Sequence, residues 1–509
     1  MQIRNFAYIG GEVSQIMRLR DFRLSVNTLL AAVLASVVWG QASAPIDDRK
    51  LLITGSVRTR LEGWSWFQGQ GETGYAYSGT LARIALSQSR PKLDWQLELA
   101  APILAGLPQH AVNAPPQGQF GLGAAYFTAN SPTGLPAKSL AALAFPMQGF
   151  VRIKSPFRQK GESLRLGRFQ FADGAEATPK NSTLATLKSS RVNQRLIGTF
   201  AFTHVQRAFY GIEYRRDFKD LTIEAVGALP TRGVFQVDGW GIMKTAFGYA
   251  SLTRGVNRSS RASEWRVFGS YYDDWRKIQR ADNRTSAFRL PDQEPVRVAT
   301  VGGHLLHTAE TQAGSLDLVL WGAVQGGSWG TLAHRAAAAD IEAGFQPKLL
   351  RPVKPWVRAG FTYGSGDRDS GDSRHGTFFQ MLPTPRLFAL FPFYNMMNSQ
   401  DAFAILVLRP ASRLTIKHES HWVRLADPKD LWYSGGGAFQ PWTFGFAGRP
   451  SNGSNALANV YDLNVDFVWN SHTTATGYWG YATGRSVISA IYRDRPSGSF
   501  GFVELTVRF

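Results

Sequence analysis

Phe500-Gly-Phe-Val-Glu-Leu-Thr-Val-Arg-Phe509 is the stretch on which the fold turns. Val503, Leu505, Val507 and Phe509 share one parity; Glu504, Thr506 and Arg508 share the other. Successive side chains of a strand point to opposite faces, so a ribbon of this sequence is apolar on one side and polar on the other. Two settings suit it. One is the edge strand of a soluble β-domain. The other is the last strand of a membrane barrel, whose apolar face meets lipid.

The same alternation recurs upstream. Tyr461, Leu463, Val465, Phe467 and Trp469 oppose Asp462, Asn464 and Asp466, and this stripe is aromatic at both ends, as where a strand crosses two membrane interfaces. Ile53, Gly55, Val57, Thr59 and Leu61 oppose Thr54, Ser56, Arg58, Arg60 and Glu62. Tyr210, Ile212 and Tyr214 oppose Gly211, Glu213 and Arg215, and Leu414 and Ile416 oppose Arg413, Thr415, Lys417 and Glu419. Turn-rich pieces such as 114–118, 365–372 and 434–437 lie between the strands, some connections being short and others long. Leu332 to Ala343 has the composition of a short helix. No composition break or strict repeat divides the chain, whereas an array of soluble β-domains would show linkers.

Bulk composition agrees. Hydrophobic residues make up 44% of 509, a globular value that a helical membrane protein would exceed and a barrel with a wet interior would not. There is no Cys, as in exported proteins that avoid disulfide chemistry. The formal net charge is +19, but Lys and Arg are spread singly through alternating segments rather than clustered as in nucleic-acid binders. That distribution suggests a basic surface assembled from many strands, such as a pore lining. Arg18, Arg20 and Arg23, an apolar run from Val26 to Trp39 and Ala42-Ser43-Ala44 read as a signal peptide over residues 1–44, with Met17, just before the basic cluster, as the alternative start. The expectation is then an all-β, transmembrane antiparallel barrel over residues 45–509. At roughly 22–28 residues per strand and connection, it would have about 16–18 strands.

A resemblance enters at Leu164-Arg-Leu-Gly-Arg-Phe169-Gln170, Asp173-Gly174, Arg195-Leu-Ile-Gly198 and Arg207-Ala-Phe-Tyr-Gly211. It continues through Gly364-Ser-Gly-Asp367, Arg374-His-Gly-Thr-Phe378, Leu382-Pro-Thr384, His421-Trp422 and Leu431-Trp-Tyr433. These motifs, in this order, resemble the bacterial alginate-export outer-membrane family. The chain departs from it at Phe169, where Gln is usual, at the inverted Asp173-Gly174 pair, and at an insertion of about Ala175 to Ser190. The resemblance implies 18 strands and a narrow, arginine-rich conduit passing an acidic polysaccharide outward.

Guanidinium keeps its charge at any relevant pH and offers a planar fork to carboxylates, so arginines in a low-dielectric wall concentrate anions. The candidate lining residues are Arg58, Arg60, Arg191, Arg195, Arg207 and Arg374, with Lys417. Acidic neighbours such as Glu62, Glu213, Asp462 and Glu504 would prevent trapping of a polyanion. Parity sets Arg168 with Leu164 and Leu166, unless a bulge at Gly167 turns it inward or the strand ends there and Arg168 snorkels to the interface. Asp367, Asp369 and Asp372 offer oxygens for calcium without EF-hand spacing; a solvated loop is the plainer reading. His418 and His421 fall on opposite faces of a strand and do not form a metal pair. No nucleophile elbow is found, so no catalytic residue, cofactor or metal is expected. The expected partners are an acidic polysaccharide or small anions, outer-membrane lipid, and the barrel assembly machinery through the strand ending at Phe509; nucleic acid is not among them. A porin for small solutes is the alternative function.

Overall fold

The structure, a computed structural model, describes residues 51–131, 137–258, 260–350, 352–385, 389–437 and 440–509. The expected signal peptide lies outside the described residues.

The strands are β1 (Leu52–Ser65), β2 (Gly74–Ser89), β3 (Leu93–Ala105), β4 (Leu140–Ala142), β5 (Phe145–Lys154), β6 (Glu162–Phe169), β7 (Phe209–Asp217), β8 (Leu221–Pro230), β9 (Thr245–Asn257), β10 (Arg261–Asp274) and β11 (Val296–Glu310). They continue with β12 (Gly314–Trp329), β13 (Leu332–Pro347), β14 (Trp356–Gly364), β15 (Arg374–His375), β16 (Ser399–Ala411), β17 (Leu414–Arg424), β18 (Leu431–Gly435), β19 (Phe446–Pro450), β20 (Ala456–Val468), β21 (Thr473–Gly484) and β22 (Ser497–Arg508). Strands β18 and β19 form a separate hairpin, and the other 20 make one sheet. Two of those are short: β4 extends β5 along β3, and β15 adds in parallel to the start of β13. The remaining 18 run antiparallel in chain order and close where β1 pairs β22, from Ser56↔Arg508 to Ser65↔Ser499.

Closure leaves no edge, which is what lets a sheet sit in lipid with every backbone group paired. The apolar parity faces out: Val503 is 68% exposed and Val301 64%, with Ile84, Leu97, Ile212, Ile341 and Leu463 also exposed on the same surface. In water such a surface would be an aggregation hazard; in a bilayer it is the expected belt. Among the described residues no helix is long and apolar enough to cross a membrane.

The segment Leu332 to Ala343 corrects its helical expectation. It is the first part of β13, with His334, Asp340 and Glu342 inward and Arg335, Ala339 and Ile341 outward. Ladders to β12 and β14 on both sides override the helix preference of its alanines.

The two ends differ. Connections 90–92, 218–220, 258–260, 311–313 and 412–413 lie at the end that carries Leu51 and Phe509. The long ones, 106–139, 170–208, 275–295, 365–398 and 425–455, lie at the other. Short turns mark the periplasmic side of such barrels, which makes the loop end the outer one. The long loops fold inward. Segment 169–197, residues 378–382, Met396 and Met397 pack on the wall through Phe169, Leu184, Leu187, Ile197, Phe378 and Trp321. The helix Gly121–Asn130, Phe200, Val205, Val234, Phe235, Phe391, Phe393 and Trp432 form a second apolar cluster. The loop half of the barrel is thus filled by the chain itself.

Candidate functional site

The inward parity of the wall is charged, and the charges fall into two zones. The deeper one clamps the inserted segment to strands β10–β14. Arg191, on a π-turn at Lys188–Val192, gives Nε to Glu342 Oε1 at 2.8 Å and lies 4.7 Å over the Phe403 ring. Arg195 Nη2 is 3.0 Å from Asp340 Oδ2, and its guanidinium lies 4.9 Å over Trp321. Lys188 Nζ reaches Glu264 at 2.7 Å. Arg358 donates to Glu342 at 2.7 Å and pairs with Asp317. All of these groups are buried. The inverted Asp173-Gly174 pair belongs to the same clamp: Asp173 Oδ1 accepts from the Leu196 and Ile197 amides at 3.1 and 2.9 Å, and Gly174 sits at φ 84°. A β-carbon there would stand 2.7 Å from Arg266 Nη1, so glycine is what lets the loop close on that arginine.

Arg207 is fully buried; its guanidinium donates to the carbonyls of Pro383 at 3.2 Å and Gly436 at 2.7 Å and lies 5.9 Å from the centre of the Phe200 ring. It staples three inward loops at their meeting point. Arg60 is buried too, between the rings of Phe202 (3.7 Å) and Phe502 (4.7 Å), and pairs with Glu504 at 2.6 Å and Glu62 at 3.1 Å. Arg58 is half-buried; it donates to Ala201 O at 2.6 Å and stands 3.7 Å from Glu504.

The second zone opens to water at the turn end. Here Arg83 Nε donates to Glu98 at 2.7 Å, Arg165 pairs with Glu213, Lys154 with Asp94 at 2.7 Å, and Lys417 with Glu419 at 2.9 Å. In each pair the cation is the more exposed member: the side chain of Lys417 is 28% exposed and that of Glu419 4%; for Arg83 and Glu98 the values are 23% and 7%. The acids lie against the wall and the cations cover them. A recess of about 330 Å³ runs under Arg191 and is lined by Arg358, Arg409, Lys417, Glu419 and Asp466. At the loop end a separate recess of about 530 Å³ lies between loops, lined by Arg280, Arg289, Arg449 and Trp442.

The structure therefore brings Arg58, Arg60, Arg191, Arg195, Arg207 and Lys417 inside the barrel, and only Arg58 and Lys417 of these are open to water. Arg374 is a correction. It is exposed and lies opposite Ala333, on the parity of Arg335 and Ile341, so it faces out while His375 points in. Arg168 keeps the parity of Leu164 and Leu166. Gly167 has φ 126°, but the ladders to β5 and β7 run through it unshifted. The guanidinium is sealed beneath the 231–244 loop by the carbonyls of Gly239 and Trp240, with the Tyr210 ring at 5.1 Å. Arg83, Arg152, Arg165 and Arg409 were missed, although polar parity alone singles out Arg165 against Leu164 and Leu166.

The carboxylates of Asp367, Asp369 and Asp372 each accept from the backbone N–H two residues on, at 3.2, 3.0 and 2.7 Å, as turn caps do. The metal-ligating side chains that converge among the described residues are Glu419, His421 and Asp462. Each is engaged: by Lys417, by Asp401 at 2.8 Å on His421 Nδ1, and by Tyr478 on Asp462.

Asp430 knits the loops together. It accepts from the Asp367 amide at 2.9 Å, Thr377 Oγ1 at 2.6 Å, the Leu431 amide at 2.7 Å and the Tyr433 hydroxyl at 2.8 Å. Burial pushes Asp430 and Asp367 up to about 6, and for Asp367 the nearby Asp430 charge adds to it. An acid raised in the folded state binds more protons there than unfolded, so these groups lose stability as pH rises from about 4 towards 6. Hydrogen exchange in residues 366–378, corrected for intrinsic rate, is expected to be several-fold slower at pH 5 than at pH 7.5. Asp430→Asn should remove most of that difference.

A closed 18-strand barrel with an apolar exterior, inward loops and a charged lumen defines an outer-membrane channel. The family model for alginate export matches residues 144–490, and the chain belongs to that family. No curated protein matches the sequence. Solved structures share the fold. Pseudomonas aeruginosa OccK9 (OpdG) has a TM-score of 0.55 at 10% identity, covering 90% of this chain and 98% of that one. Acinetobacter baumannii OccAB2 has 0.53 at 9%, covering 90% and 98%. Pseudomonas aeruginosa OpdK with vanillate has 0.51 at 8%, again covering 90% and 98%. The protein is a bacterial outer-membrane channel.

Proposed function

We propose that this channel passes an acidic polysaccharide such as alginate outward, by passive, anion-selective diffusion, after removal of residues 1–44 on export. The observation that carries this reading is the order of charges in the turn-end lumen, where Arg83, Arg165, Lys154 and Lys417 each cover a carboxylate. A chain of uronates would meet cations first, each already partnered. Partnered cations hold an anion weakly, so the polymer can leave each site for the next. The family membership supports a polymer; the filled loop half supports a narrow passage. The seam of β1 and β22 ending at Phe509 is the segment proposed to engage the barrel assembly machinery.

The test is release from proteoliposomes. Oligouronates loaded inside should escape at least ten times faster than neutral glucans of the same length. Equal escape, or faster escape of the glucans, would replace this reading with a porin for small solutes.

A further inference from the structure

We propose that the outer face of β10–β15 binds the phosphorylated, multiply acylated glycolipid of the outer leaflet, lipopolysaccharide. Arg297, Arg335 and Arg374 would take its phosphates, and the recess around Gly322 an acyl chain. This does not rest on the transport reading, because none of these residues faces the lumen.

Register places the three arginines together. Arg297 lies opposite Ser328, Ser328 opposite Ala333, and Ala333 opposite Arg374, so one row crosses β11, β12, β13 and β15. Residues directly opposite share a face. Arg335 is two residues further along β13 on that face. At about 4.8 Å per strand the row from Arg297 to Arg374 spans about 14 Å, a width suited to more than one phosphate. The face is the outer one: Arg297 has the parity of Val301 and Leu305, and Arg335 that of Ala339 and Ile341, all exposed.

The row is charged and available. The Arg297 side chain is half exposed and lies 3.5 Å from Asp273. Among the described residues no ion pair engages Arg335 or Arg374, and the nearby Asp372 caps the Arg374 amide. All three sit near the loop end of their strands, at the level of the outer headgroups. Arginine on the lipid side of a barrel is costly at mid-membrane and tolerated near the interface, where an anion can meet its fork.

Beneath the row, on the same strands, the outer surface is dented. A recess of about 720 Å³ is bordered by Trp265, Leu305, Leu320, Ile341 and Phe361, with Gly322 at its floor. It begins about four residues below Arg335, roughly 13 Å along the strand, the reach of an acyl chain below its headgroup. An apolar dent alone would be filled by any lipid. The basic row directly above it selects a lipid with several phosphates and several chains.

The experiment uses the full folded protein, stripped of lipid in non-ionic detergent and titrated in native mass spectrometry. The probes are rough lipopolysaccharide, its enzymatically dephosphorylated form and phosphatidylglycerol. Wild-type protein should bind lipopolysaccharide at least tenfold more tightly than either of the others. R297Q/R335Q/R374Q should lose at least tenfold with unchanged single-channel conductance. Gly322→Leu, where a β-carbon meets nothing nearer than Ala338 O at 3.6 Å, should lose several-fold by filling the recess. Equal binding of phosphatidylglycerol, or a triple variant within twofold of wild type, would overturn the proposal. If the triple variant does not fold, the three single substitutions are read instead; each should cost about threefold, and no change in any of them is equally contradictory.

Discussion

Neutralising the cations that cover the lumen acids, in the triple variant R83Q/R165Q/K417Q, is expected to invert the ion preference of the channel. Glu98, Glu213 and Glu419 lie beneath those three side chains and would then be the first charges a permeating ion meets. A lumen walled by low-dielectric protein focuses the field of its lining, so a change of three unit charges at one mouth acts well beyond contact distance. The chloride-to-potassium permeability ratio should fall from above one to below one. Block by oligouronate should weaken by at least tenfold. Both are read from bilayer currents, and the barrel should fold normally because its wall is held by backbone ladders. An unchanged ratio would mean that selectivity is set in the loop half instead.

The second large effect is expected from Glu342→Ala. Glu342 accepts from Arg191 at 2.8 Å and from Arg358 at 2.7 Å, and all three are buried. Removing the carboxylate leaves two guanidinium groups without their shared partner. Breaking a buried pair costs about 3–5 kcal/mol, of which the clamp on the inserted segment bears the most. Hydrogen exchange over residues 182–195 should therefore quicken by on the order of a hundredfold or more, and single-channel conductance should rise. Glu342→Gln keeps a hydrogen-bond acceptor and should recover part of the loss. Exchange in β1 and β22, on the far side of the barrel, should not move.

The wall was legible because two-residue alternation is a strong signal and lipid demands it on every strand. It failed at β13, where alanines flatten the contrast between faces and only pairing with β12 and β14 makes a strand. The lumen was harder to read. Arg191 and Arg195 stand out through the family motifs, but their acids, Glu342 and Asp340, come from a strand about 145–151 residues away. No local pattern announces that these arginines are clamped rather than free. Arg374 was misplaced because β15 is two residues long and offers no alternation. Arg83 and Arg165 needed only the parity argument; attention to motif residues passed them by.

The most direct test of the central claim is the reversal potential of the wild-type protein in a planar bilayer under a potassium chloride gradient, before and after oligouronate is added on the turn side. The account predicts a reversal potential of the sign carried by chloride, and a current that falls as oligouronate enters the lumen. A reversal potential of the potassium sign, with current indifferent to oligouronate, would contradict it.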